Sequence, residues 1–95
     1  MHALSYVYIM ANHKKGTLYV GATSDLVGTI TKHKLGTASS FTQKYDIKLL
    51  VWFEMHDNIG SALAAQKQVK SIDYSQKIKL IEELNPRWED LSYDF

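Results

Sequence analysis

The sequence predicts a small α+β domain, a three-stranded sheet containing antiparallel strands and flanked by helices in the order ββαβαα. Three observations predict it. Residues 6–10 and 17–22 are rich in β-branched and aromatic side chains and are separated by a polar loop that ends in Gly16, the pattern of a hairpin. Residues 48–54 form a third, strongly apolar run. The remaining stretches carry apolar residues at helical spacing behind capping side chains.

Each element follows in turn. A loop over 11–16 sets Tyr8 opposite Tyr19, with both rings on one face of the hairpin. Strand parity then sends Val7, Ile9, Leu18 and Val20 to the other face. Thr23, Ser24 and Asp25 supply capping oxygens for a helix over 26–34 that stops at Gly36. That helix is locally poor, because Gly28 costs about 1 kcal/mol against alanine and Thr29, Ile30 and Thr31 are β-branched. Residues 37–45 read as a polar loop carrying Phe41 and Tyr45. The apolar run at 48–54 is expected to be the central strand.

Asp57 or Asn58 caps a second helix whose stripe is Ile59, Ala62, Leu63, Val69 and Ile72, with Gln66 on the same inward side. Ser75 caps a third, with Ile78, Ile81 and Leu84 on its apolar face and Asn85-Pro86 as its stop. The tail, with Trp88, Leu91, Tyr93 and Phe95, is expected to pack back on the core.

Composition narrows the chemistry. The 95 residues allow one domain, 1–95, and 45% hydrophobic with 22% charged residues is the balance of a folded globular chain. There is no cysteine, which excludes disulfides, thiolate zinc sites and cysteine nucleophiles and fits a reduced, cytoplasmic setting. No apolar run approaches the roughly 20 residues of a membrane span, and residues 1–8 lack the pattern of a signal peptide. Eleven Lys+Arg against ten Asp+Glu leave a formal charge of +1, whereas proteins that grip phosphates usually carry a clear basic excess. A local basic patch is still compatible with that balance.

Four groups of residues could carry chemistry. Facing tyrosines on a hairpin ordinarily pack, but a phenol there could also accept a proton or position a water near a phosphate. His33 lies between Lys32 and Lys34, a local positive run that suits a phosphate, and shares a helix face with Thr29 four residues earlier. Gln66 on an inward stripe is either a hydrogen-bonded amide or a ligand, and a neutral amide is a poorer divalent-metal ligand than a carboxylate. Lysines, among them Lys67 and Lys70, line the outer helix faces, where solvation is the default.

Tyr6-Val7-Tyr8 followed after ten residues by Tyr19-Val20-Gly21 resembles the GIY-YIG signature, with Tyr6 in place of its first glycine. Thr23-Ser24-Asp25-Leu26, His33-Lys34, Phe41 to Tyr45, Ala62-Leu63-Ala64, Lys67 to Lys70 and Lys79 to Pro86 extend the likeness along nearly the whole chain. It is similar to the small stand-alone GIY-YIG proteins, whose domain is shared with an excision-repair subunit and some homing endonucleases. The resemblance implies metal-dependent cleavage of DNA phosphodiester bonds. It assigns the attacking water to Tyr8 and Tyr19, assistance to His33, transition-state charge to an arginine at position 29 and one Mg²⁺ or Mn²⁺ ion to a glutamate at position 66. Position 29 is Thr29, its frequent basic neighbour is Gly28, and position 66 is Gln66. A Trp-Arg-Arg-like stretch expected before the last helix reads Ile72-Asp73-Tyr74.

The leading expectation is therefore a GIY-YIG domain with lost or weak cleavage. Two others compete with it. One is an active endonuclease whose metal ligand comes from Glu54, His56, Asp57 or Glu83 and whose cation is a lysine. The other is a non-catalytic module that binds nucleic acid through Lys32, Lys34, Lys44, Lys67 and Lys70, or a protein, including a second copy through a patch at Trp88 and Phe95.

Overall fold

A computed structural model describes residues 4–94. Its elements are β1 (Ser5–Ala11), β2 (Leu18–Thr23), α1 (Leu26–Lys34), α2 (Ser40–Lys44), β3 (Leu49–His56), α3 (Ile59–Ser71), α4 (Tyr74–Leu84) and a 3-10 turn (Leu91–Asp94). All three strands are antiparallel to their neighbours, in the order β2-β1-β3. The α+β architecture is the expected one.

The hairpin register differs from the expectation. Tyr8 pairs with Gly21, and Tyr19 with Met10. The cause is the closure of the loop: Asn12 N–H donates to Thr17 O at 3.3 Å, and Thr17 N–H donates to Asn12 Oδ1 at 2.9 Å. This adds one residue to the first strand and moves the start of the second on by one. A total shift of two preserves side-chain parity, so Tyr8 and Tyr19 still share a face, diagonally.

The centre of the sheet is β1, not the apolar run of β3. From Val7 to Ala11 β1 is buried on both faces, with Val7, Ile9, Met10 and Ala11 fully enclosed. β3 is an edge strand that looks central in sequence because the C-terminal segment covers its outer side, with Asn85 Nδ2 donating to Val51 O at 3.1 Å. A bulge in β3 opposite Ile9 and Met10 turns both Val51 and Trp52 toward one face and Leu50 toward the other.

Two cores result. On one face Val7, Ile9, Val20, Val51 and Trp52 pack with Ile81 and Trp88, joined by Ala65 and Val69 of α3 and Ile78 of α4. On the other, Tyr8, Met10 and Leu50 pack with Leu26 and Ile30 of α1 and with Ile47.

Several local expectations are corrected. Residues 37–45 contain the short helix α2, capped by Ser39, whose Oγ accepts from Thr42 N–H at 3.1 Å. α3 turns its small residues inward: Ala62 is fully buried, whereas Ile59 and Leu63 are exposed. Asp73, not Ser75, caps α4, in a capping box with Gln76. Leu84 and Tyr93 are exposed, and Trp88 is buried with its indole N–H donating to Glu82 Oε2 at 2.8 Å. Trp88 therefore offers no surface patch, and Phe95 lies outside the described residues. Among the described residues no helix is long and apolar enough to cross a membrane.

Candidate functional site

Three of the sequence-predicted residues meet on the α1 side of the sheet. β1 supplies Tyr8, β2 supplies Tyr19, and α1 supplies His33. The ring centroids lie 6.3 Å apart for Tyr8–Tyr19, 5.9 Å for Tyr8–His33 and 5.2 Å for Tyr19–His33. A hydrogen bond of 3.2 Å links Tyr8 Oη and His33 Nε2. Phe41 of α2 extends the cluster, its ring 6.2 Å from that of Tyr19.

The sequence builds this cluster through α1. Asp25 caps the helix, its Oδ1 accepting from Gly28 N–H at 3.1 Å. At the other end Gly36, at φ 75°, closes it with a Schellman pair, Gly36 N–H to His33 O at 3.1 Å and Thr37 N–H to Lys32 O at 2.9 Å. Leu26, Ile30 and His33, at spacings of four and three, form the buried stripe. Burial of that stripe and two well-made ends hold a helix that propensity alone would not.

Gly21 makes room for the phenol. A Cβ on Gly21 would stand 2.4 Å from Tyr8 Oη and 2.5 Å from its Cζ, so only glycine lets the ring lie across β2. The signature shows this glycine, but its reason appears only once the register is known.

Burial sets the protonation of the pair. It raises the Tyr8 phenol well above its ordinary value, with the neighbouring Tyr19 adding to the effect. It lowers the His33 imidazole below its ordinary value. Both groups are therefore neutral at pH 7. If the phenol donates to Nε2, His33 carries its proton on Nδ1; if it accepts, Nδ1 is a bare lone pair. In either tautomer Nδ1 is buried without a partner among the described residues.

None of the positions where the family would carry arginine or glutamate holds that residue. Thr29 shares a hydrogen bond of 2.8 Å with Thr23 Oγ1, linking α1 to the end of β2. A Cβ on Gly28 would stand 2.2 Å from Asp25 Oδ2, so the glycine accommodates the capping carboxylate. Gln66 is half-buried on α3, and its side-chain amide makes no hydrogen bond among the described residues. Asp73, in the stretch where basic residues were expected, is the cap of α4.

A divalent ion does not fit the residues present. Among the described residues no three of His, Asp or Glu stand close enough together to hold a metal, and Gln66 offers only a neutral amide. The alternative ligands are no better placed: His56 Nε2 pairs with Glu54 Oε1 at 2.8 Å at the exposed end of β3, while Asp57 lies beyond that strand and Glu83 is exposed on α4.

The lysines divide. Lys34 is engaged, its ammonium ion-paired with Asp90 Oδ2 and donating to Lys48 O at 3.1 Å. Lys44 lies over the Tyr45 ring, 5.4 Å from its centroid. Lys32 and Lys67 are exposed on α1 and α3, and Lys70 borders a groove beside β2.

Known proteins resemble this chain over most of its length. The family model described as the GIY-YIG catalytic domain matches residues 4–79. A UPF0213 protein of Staphylococcus saprophyticus is 35% identical over 78 residues, covering 82% of this chain and 94% of its own. One from Staphylococcus haemolyticus is 32% identical over 81 residues, covering 85% and 98%. Another, from Haloquadratum walsbyi, is 31% identical over 83 residues, covering 87% and 92%. No solved structure matches the chain at a significant level.

Proposed function

The chain belongs to the GIY-YIG family, and from that premise we propose that it is a member that keeps the fold but no longer cleaves phosphodiester bonds. The observation that carries this reading is the Thr23–Thr29 hydroxyl pair at the position where the family places its arginine. Hydrolysis of a phosphodiester builds negative charge on the phosphoryl oxygens. A fixed cation or a metal ion must meet that charge, and loss of one such donor costs about 10²–10³ in rate in comparable sites. Here the arginine position is a hydroxyl already engaged in the fold, and the glutamate position is the amide of Gln66.

What remains of the site supports a packing role. Tyr8 is buried and held as a neutral phenol, so it is a poor proton acceptor, and Gly21 and His33 hold it in place. No observation favours the displaced-site reading over this one.

The reading is tested by adding Mn²⁺ to ¹⁵N-labelled protein. The expected result is no selective broadening of the amide signals of Tyr8, Tyr19, His33 and Gln66 at millimolar Mn²⁺. Selective loss of those signals at lower Mn²⁺ would overturn it, because an ion would then be held where the family holds one.

A further inference from the structure

The two edges of the sheet are treated differently. On the outer side of β3 the C-terminal segment supplies partners, Asn85 Nδ2 to Val51 O at 3.1 Å and Leu50 N–H to Asp90 Oδ1 at 3.3 Å. On β2 the hydrogen bond from Asn12 N–H to Thr17 O fixes which residues face β1. Alternation from that pair turns Tyr19 and Gly21 toward β1, and the N–H and C=O groups of Leu18, Val20 and Ala22 outward. Among the described residues no hydrogen bond reaches these outward groups. Edge strands left in this state are templates for another strand.

A groove of about 710 Å³ runs beside this edge. Its walls differ in character. On the side of Tyr19 stands Phe41, 44% exposed and packed on the Tyr19 ring. On the side of Leu18 and Val20 stand Lys70, Tyr74 and Lys77. Tyr74 is fixed by its hydroxyl, whose one proton is shared between Lys15 O at 2.5 Å and Gly16 O at 2.6 Å. Lys77 Nζ donates to Ile72 O at 2.9 Å, while the Lys70 ammonium has no partner among the described residues. Among the described residues no acidic residue lines the groove.

We propose that the outer edge of β2 takes an extended acidic peptide segment of a partner protein as a fourth strand. The outward backbone groups alternate donor and acceptor, which a peptide strand matches at both. A phosphodiester backbone offers acceptors only and would leave the β2 carbonyls unmet. The two walls also specify the guest. Its side chains alternate between faces, so acidic residues fall beside Lys70 and apolar ones beside Phe41 and Tyr19. This inference rests on the β2 edge and is independent of whether the domain cleaves DNA.

The test is an NMR titration of the ¹⁵N-labelled full chain with a capped hexapeptide of alternating glutamate and valine. The expected shifts centre on Leu18, Val20 and Ala22, and hydrogen exchange of those amides slows. Lys70→Glu weakens binding about fivefold, the scale of one exposed charge pair, and a peptide N-methylated at alternate residues does not bind. The proposal is overturned if millimolar peptide leaves the β2 amides unmoved, or if the N-methylated peptide binds equally well. It is also overturned if the β2 amides respond only to oligothymidylate, which would identify a nucleic-acid groove, or if the chain dimerises through β2 in the peptide's place.

Discussion

At the scale of single residues, Gly21 and His33 decide what Tyr8 can do. Gly21 leaves the space the phenol occupies, and His33 Nε2 is its hydrogen-bond partner. Enclosing an imidazole favours its neutral form, and this has a consequence for stability. The folded-state pKa of His33 is lowered, so between that value and about 6.5 the unfolded chain binds more protons than the folded one. Stability from this group is therefore complete above pH 6.5 and is lost as pH falls through the window below it, by at most about 1.4 kcal/mol per pH unit. Urea unfolding of the wild type and of His33→Gln between pH 7.5 and 5 measures this. The variant is expected to be less stable at pH 7.5 but to lose less on acidification. Equal slopes in the two proteins would mean that His33 is free to protonate in place.

At the scale of elements, the C-terminal segment acts as a clasp on β3 and α1. Asp90 accepts from Ser92 N–H at 3.0 Å, Ser92 Oγ at 2.7 Å and Leu50 N–H at 3.3 Å, and pairs with Lys34. Burial alone would raise its carboxyl, but the hydrogen bonds from Lys34, Ser92 and Leu50 outweigh burial and hold it below the ordinary value. A depressed carboxylate stabilises the fold above the unfolded-state pKa of about 3.9, and that contribution is lost as pH falls through its folded-state value. Asp90→Ala is expected to cost about 2–3 kcal/mol at pH 7 in denaturant unfolding, since it leaves the Leu50 N–H and the Lys34 ammonium without their partner. A loss below about 0.5 kcal/mol would show that the clasp contributes little. Elements of this kind mark the limit of what local sequence shows. The strands, their faces and the caps at Asp25 and Asn58 are legible because they depend on residues a few positions apart. The register turned on one asparagine at the loop, and the edge position of β3 on Asn85 and Asp90, more than thirty residues away. Strand parity placed Tyr8 and Tyr19 on one face, and only the resemblance to the family joined His33 to them. The Thr23–Thr29 bond was not, because nothing local distinguishes a threonine that bonds across elements from one that faces water.

At the scale of the whole molecule, the near-neutral charge and the site tell one story. The chain has the GIY-YIG fold with a formal charge of +1, its family arginine position is a threonine, and Lys34, the lysine following His33, is committed to Asp90. Lys32, Lys44 and Lys67 lie on three different helices. The aromatic and glycine parts of the signature hold the sheet to α1, while the position the family gives to arginine holds Thr29, bonded to Thr23. The most direct measurement is a cleavage time course on duplex, nicked and branched DNA with Mg²⁺ or Mn²⁺, run beside a GIY-YIG nuclease that retains its arginine and glutamate. The account predicts no product above the metal-only background for this chain on any of the three substrates. Metal-dependent cleavage at a rate near that of the reference nuclease, abolished by Tyr19→Phe, would contradict it.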